Sequence, residues 1–92
     1  MIKSFSCKDT KELFDDRRVR RFQPIEKQAR KRLMVLHAAP SLNALMLNPG
    51  NRFHALKGNR QGQYAISINK QWRICFEWHA GNAFNVAIVD YH

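Results

Sequence analysis

Trp72-Arg73-Ile74-Cys75-Phe76-Glu77-Trp78-His79 is the stretch that decides the fold. Every second residue is large and apolar, and the residues between them are Arg73, Cys75, Glu77 and His79. A pleated strand sends alternate side chains to opposite faces, so this octet has one face to bury and one to display. The same period of two runs on either side of it. Tyr64, Ile66 and Ile68 alternate with Ala65, Ser67 and Asn69, and Phe84, Val86 and Ile88 follow the His79-Ala80-Gly81-Asn82 turn. Three or four such strands with short connections predict an antiparallel meander whose large side chains lie beneath helices.

Upstream, the breaker Asn48-Pro49-Gly50-Asn51 separates the strands from a region of helical period. Ile25, Ala29, Leu33 and Leu36 fall within about 80° of one another on a helical wheel, which makes one apolar stripe. Pro24 suits the first position of this helix, and Pro40 requires it to end by Ala39. Lys27, Arg30 and Lys31 lie on the opposite face with Met34 among them, while Arg32 falls beside the stripe and must snorkel. Ser41 can cap a further short turn carrying Leu42, Leu45 and Met46. Nearer the N-terminus, Asp9-Thr10-Lys11-Glu12 fits a capping box opening a helix that carries Leu13 and Phe14 and stops near Asp16. Ile2 to Ser6 is short and alternating, which predicts an edge strand. The expected architecture is α+β, an N-terminal strand and two to three helices packed on a C-terminal antiparallel sheet, in a single domain spanning residues 1–92.

The apolar fraction of 45% is ordinary for a folded globule, but the net charge of +9 is not. Half of the basic residues lie between Arg17 and Arg32, so the charge is clustered as well as large. Such a field attracts polyanions, and nucleic acid is the commonest of them. No long apolar face accompanies the charge, which argues against a membrane surface. Cys7 and Cys75 have neither a C-x-x-C spacing nor the density of a disulfide scaffold, and Met1 to Lys8 has no apolar signal region. Both observations predict a soluble, cytoplasmic protein with reduced thiols. Cys7, His37, Cys75 and His79 have no metal-ligand spacing, so no metal or other cofactor is expected.

The polar residues that the strands would display suggest one chemistry. His54 and Lys57 precede the Gly58-Asn59-Arg60-Gln61-Gly62 turn, Arg73 is out of phase with Trp72 and Ile74, and Asp90, Tyr91 and His92 end the last strand. Attack of an RNA 2′-hydroxyl on its own phosphate needs a base, an acid and cations for the crowded phosphate. Two histidines near pH 6.5 can carry the protons, and Lys57 and Arg73 can clamp the charge. His92 bears an adjacent α-carboxylate, a negative charge that favours the imidazolium. Taken singly, each residue also has a structural reading: an ordinary surface histidine, solvated turn cations, an outer-face arginine, a packed tyrosine. The rival to an enzyme is a non-catalytic RNA- or ribosome-binding module with the same basic surface. Binding alone does not need His54, Asp90 or His92.

Together, His54-Ala55-Leu56-Lys57-Gly58-Asn59-Arg60-Gln61-Gly62, Tyr64-Ala65-Ile66-Ser67-Ile68-Asn69, Trp72-Arg73-Ile74 and Val89-Asp90-Tyr91-His92 resemble a HigB-type toxin of the RelE superfamily. The likeness covers roughly Asn51 to the C-terminus; between Lys8 and Asn48 only the architecture is compatible. The resemblance implies a microbial-RNase-like α+β fold and a type II toxin that cleaves mRNA in the ribosomal A site. It implies a cognate helix-turn-helix antitoxin of the HigA type, with operator DNA bound only through that partner. Family active-site positions fall on His54, Lys57, Arg73, Asp90, Tyr91 and His92. The resemblance also gives the basic residues Arg17, Arg18, Arg20, Arg21, Lys27, Arg30, Lys31 and Arg60 a task, which is to hold RNA at the ribosome.

Overall fold

The computed structural model describes residues 1–90, and Tyr91 and His92 lie outside the described residues. Three helices come first: α1 (Lys8–Phe14), α2 (Glu26–Ala38) and α3 (Leu42–Leu47). A four-stranded antiparallel sheet follows in the order β1 (His54–Ala55), β2 (Gln63–Ser67), β3 (Trp72–His79) and β4 (Asn82–Asp90). The meander expected from the alternation is therefore present, with Ile66 opposite Ile74 and Ile74 opposite Ile88. These three side chains join Phe76 and Val86 on the face that the helices cover. Against them sit Ala29, Leu33 and Leu36, each fully buried, together with Ile25, from the predicted α2 stripe.

Three local expectations need correction. The first helix opens at Lys8 with Cys7 at the N-cap, ahead of the predicted capping box, and Asp9 instead receives a 2.9 Å hydrogen bond from Arg21 Nε. An arginine arriving from elsewhere in the chain has thus taken the carboxylate intended for the cap. Pro24 does not start α2; it lies inside a 3₁₀ turn, Arg20–Ile25, that runs into α2 at Glu26. That turn buries Phe22 and Ile25, so burial rather than the proline sets where the α-helix begins. Ile2 to Ser6 is not a continuous strand. It touches β4 through two isolated parallel bridges, Ile2 with Ala83 and Phe5 with Val86.

This arm nevertheless performs the task of an edge strand. Lys3 N donates to Ala83 O, Val86 N to Ser4 O and Ser6 N to Val86 O at 2.8–3.1 Å. The buried Thr10 hydroxyl then accepts from Ile88 N at 3.0 Å. The outer edge of β4 is so occupied over much of its length, which removes a template for unwanted strand pairing. The opposite edge, β1, is short.

The alternation also slips once. Between Cys75–Ala87 and Glu77–Phe84 the register shifts, so β4 carries one extra residue, a β-bulge at Asn85 with φ 53°. Asparagine tolerates this left-handed conformation better than most residues. Consequently Phe84 pairs with Glu77 on the uncovered side, and Ala83, opposite Trp78, takes the buried place that the sequence assigned to Phe84. Elsewhere the breaker and cap behave as read. Ser41 Oγ accepts from Ala44 N at 3.1 Å, and Asn48 Oδ1 accepts from Gly50 N at 3.0 Å.

Candidate nucleic-acid interface and active face

Residues paired across an antiparallel sheet share a face, so the register defines the side the helices leave open. One row runs His54, Ala65, Cys75, Ala87, and the next runs Ser67, Arg73, Val89. The floor is made of small side chains, with Leu56 and Val89 packed at its margin. Small residues where the other face has phenylalanine and isoleucine leave shallow hollows. One of about 360 Å³ is lined by Arg60, Cys75, Glu77 and Val89 among others. A second of about 450 Å³ lies against Arg73 and is lined also by Arg52, Ser67 and Lys70.

Cys75 locates the cations. Burial pushes its thiol above the ordinary value, while Arg60 and Arg73 act in the opposite direction. Arg60 lines the same hollow as Cys75, and Arg73 lies two residues before it on the same face of β3, so the two guanidinium groups flank the thiol. Arg60 reaches it from the turn between β1 and β2, which is held by Arg60 N donating to Lys57 O and Leu56 N donating to Gln63 O. At the far end of the floor, Glu77 is negative and stabilised as such. The Asn85 amide (2.9 Å) and His79 (3.2 Å) both bond its carboxylate and hold its pKa below the usual range. The open face is thus cationic at Arg60 and Arg73 and anionic at Glu77.

The predicted site residues distribute as follows. His54 is exposed and shares the outer row with Cys75 through Ala65. Arg73 lies in the adjoining row. Lys57 is exposed at the start of the short 3₁₀ turn Gly58–Arg60. Asp90 ends β4 opposite Trp72 and accepts a 3.2 Å hydrogen bond from Gln71 Nε2, so by alternation it takes the phase opposite to Arg73. Tyr91 and His92 fall outside the described residues. Among the described residues, no three His, Cys, Asp or Glu side chains gather closely enough to hold a metal ion. No helix of the described residues is long and apolar enough to cross a membrane.

α2 covers the opposite face of the sheet, and Lys27 and Lys31 are exposed on that helix. Arg17, Arg18 and Arg20, in the loop and the start of the 3₁₀ turn before it, are exposed as well. Arg21 is engaged with Asp9 and lies 4.5 Å from the Phe22 ring centroid. Arg30 is a clamp: it donates to Glu26 at 2.6 Å, to Leu13 O at 3.2 Å and to Arg17 O at 2.7 Å. Arg30 thus ties α2 to the end of α1 and to the loop after it. Arg32 snorkels to the fully buried Asn51, whose amide donates to Leu45 O at 3.1 Å. Two cations on the open side, Arg52 and Lys70, escaped the sequence reading. Their signal was the pairing of Ser67 with Arg73, which brings the Asn69-Lys70-Gln71 turn up beside Arg73.

An α+β chain with helices on one face of an antiparallel meander, and Arg60 and Arg73 on the other, has the form of a RelE-like toxin. The fold is similar to that of YafQ from Escherichia coli, with a TM-score of 0.63 at 14% identity over 98% of this chain and 93% of the other. It is likewise similar to a YoeB–YefM complex chain from Staphylococcus aureus, with a TM-score of 0.64 at 20% identity over 100% and 98%. By sequence, the chain is 37% identical over 87 residues to Toxin HigB-1 of Vibrio cholerae, covering 92% of each. It is 34% identical over 94 residues to Endoribonuclease HigB of Proteus vulgaris, covering 100% of each. The family model for the RelE-like toxin of the type II toxin–antitoxin system HigB matches residues 3–92. The chain belongs to that family, and it is the toxin of a toxin–antitoxin pair.

Proposed function

We propose that this HigB-like toxin is a cytoplasmic endoribonuclease that cuts mRNA in the ribosomal A site by attack of the substrate's own 2′-hydroxyl. The observation that carries the proposal is the pair Arg60 and Arg73 flanking Cys75 on the open, small-residue face of the sheet. Fixed guanidinium groups aimed at developing phosphate charge supply electrostatic stabilisation that needs no reorganisation during the reaction. The 2′-oxygen bonds to phosphorus, the bond to the 5′-oxygen breaks, and a cyclic phosphate remains. His54 and His92 are the proton carriers, one for the 2′-hydroxyl and the other for the leaving oxygen. Lys57 and Arg73 stabilise the phosphorane, Asp90 orients or charge-stabilises an imidazole, and Tyr91 stacks on a base or holds the nucleophile. The exposed cations Arg17, Arg18, Arg20, Lys27 and Lys31 hold ribosomal RNA.

The partner in this reading is a helix-turn-helix antitoxin of the HigA type, and operator DNA is bound only through it. Inducing the toxin gene alone should arrest growth, and His92→Ala or Arg73→Ala should relieve the arrest. Removing a proton carrier costs about 10²–10⁴ in rate. Cleavage of mRNA on purified ribosomes is the direct measurement. If His54→Ala, Asp90→Ala and His92→Ala proteins all retain the native effect on translation, the chain acts by binding alone.

A further inference from the structure

The hollow beside Arg73 has features that the cleavage chemistry does not use. Its walls come from three separate parts of the chain: Gly50 and Arg52 after α3, Ser67 to Lys70 at the end of β2, and Arg73 on β3. Arg52 and Lys70 both lie on its wall, and among the described residues neither has a carboxylate within 4.0 Å. Among the described residues, no ion pair accounts for the placing of these two cations.

The backbone at both is held in position. Lys70 sits in a turn closed by Asn69, whose Oδ1 accepts from Gln71 N and Trp72 N at 2.8 Å each. Ser67 Oγ donates to Asn69 O at 2.8 Å from the other end of the same turn. Arg52 has φ 45° and ψ 52°, a left-handed conformation that a branched or long side chain rarely adopts and that glycine or asparagine would take easily. It follows Asn51, fully buried and fixed by Arg32 and Leu45 O, so the strained residue is braced by a buried polar network. Strain kept at an exposed cation is an observation that points toward use.

We propose that the Arg52–Lys70–Arg73 hollow is a phosphate subsite, holding an RNA phosphodiester next to the one that is cut. This rests on the nuclease reading and adds to it a second anion position that binds without taking part in the chemistry. The bound phosphate belongs either to the mRNA strand leaving the cut or to ribosomal RNA lining the A site. The polyanion chemistry is the same in both, and Arg73 would touch both the scissile phosphate and its neighbour.

The test uses the full-length toxin and mRNA-programmed ribosomes, with KM, kcat and equilibrium affinity measured at several salt concentrations. Arg52→Gly removes the charge and relieves the backbone, so its thermal midpoint should stay level or rise while KM rises about tenfold. Its kcat should stay within about threefold, and the slope of affinity against salt should fall by roughly 0.7, as expected for one lost phosphate contact on a single strand. Arg52→Lys should restore most of the affinity, and Lys70→Ala should repeat the KM effect without any backbone change. A methylphosphonate beside the scissile position identifies the source. If it erases the difference between the native protein and Arg52→Gly, the phosphate is the mRNA's; if the difference persists, it is the ribosome's. A double variant, Arg52→Gly with Lys70→Ala, that keeps native KM and salt slope would overturn the subsite while the nuclease stands. If the native protein fails to cut programmed ribosomes, the nuclease reading falls, and the same variants' affinities decide the subsite by themselves.

Discussion

The two faces of the β2–β3–β4 sheet are built from adjacent residues and have almost nothing in common. On the helical side Ile66, Ile74, Phe76 and Val86 are fully buried in one continuous core. On the open side Ala65, Cys75 and Ala87 take the alternate places, with Arg60 and Arg73 above them. The first face stabilises the fold because large apolar areas leave water together, at about 25 cal/mol per Å². The second face gains less. Its small side chains make only a minor buried cluster, Leu56, Ala65 and Cys75 with Val89 against it, and charge lies at its margin. The difference teaches that the main core and the exposed charge here are separated by phase along a strand.

The comparison can be broken at several points. Phe76→Ala should cost about 3–5 kcal/mol in denaturant unfolding, because a fully buried ring leaves a cavity among Tyr64, Trp78 and α2. If it costs under about 1 kcal/mol, the helical face is not the principal core. Thr10→Val keeps the shape but leaves Ile88 N without its acceptor, at a cost of about 2 kcal/mol. Hydrogen exchange at Ile88 should accelerate with it, which ties the loss to the β4 edge. Cys75→Leu should act on the other side. It overfills the buried floor between the arginines, so it should lower cleavage about tenfold, or ~1.4 kcal/mol of barrier, and cost about 1–3 kcal/mol of stability from overpacking, less than Phe76→Ala.

The smallest effect is a difference in thiol reactivity. Burial alone would raise the Cys7 pKa, but bonds from Thr10 and the Asp9 backbone, with Arg21 nearby, lower it below the ordinary value; that of Cys75 is raised. The thiolate is the nucleophile, so between neutral and mildly alkaline pH Cys7 should alkylate first, and its lead should narrow as pH rises past both pKa values. Equal rates at neutral pH, read by mass spectrometry of the labelled peptides, would contradict the contrast in environment.

Much of this was legible in the chain before folding. The period-two run from Tyr64 to Trp78 and the stripe Ile25, Ala29, Leu33, Leu36 each depend only on local backbone geometry, and both were read correctly. Arg73 was placed on the open face by the same alternation, and strand pairing puts His54 there too. Where local rules failed, a distant group had intervened. Asp9 left its cap for Arg21, Phe84 lost its core position to a bulge, and Arg30 turned from the basic face to bond Leu13 O and Arg17 O. Arg52 and Lys70 were invisible as a pair because seventeen residues of chain separate them and only strand pairing closes that gap.

By itself, the sequence determined the class of fold, the face each strand would bury, the excess of positive charge and the family likeness. These follow from pleat, helical period and composition, which any segment carries within itself. Only the tertiary structure decided which cations share a hollow, that Arg60 comes to line one with Cys75, and that the helices cover one face of the sheet. Such relations depend on register and on which side of a sheet a helix lands, and those are settled by burying the large residues, not by the polar ones that the burial brings together.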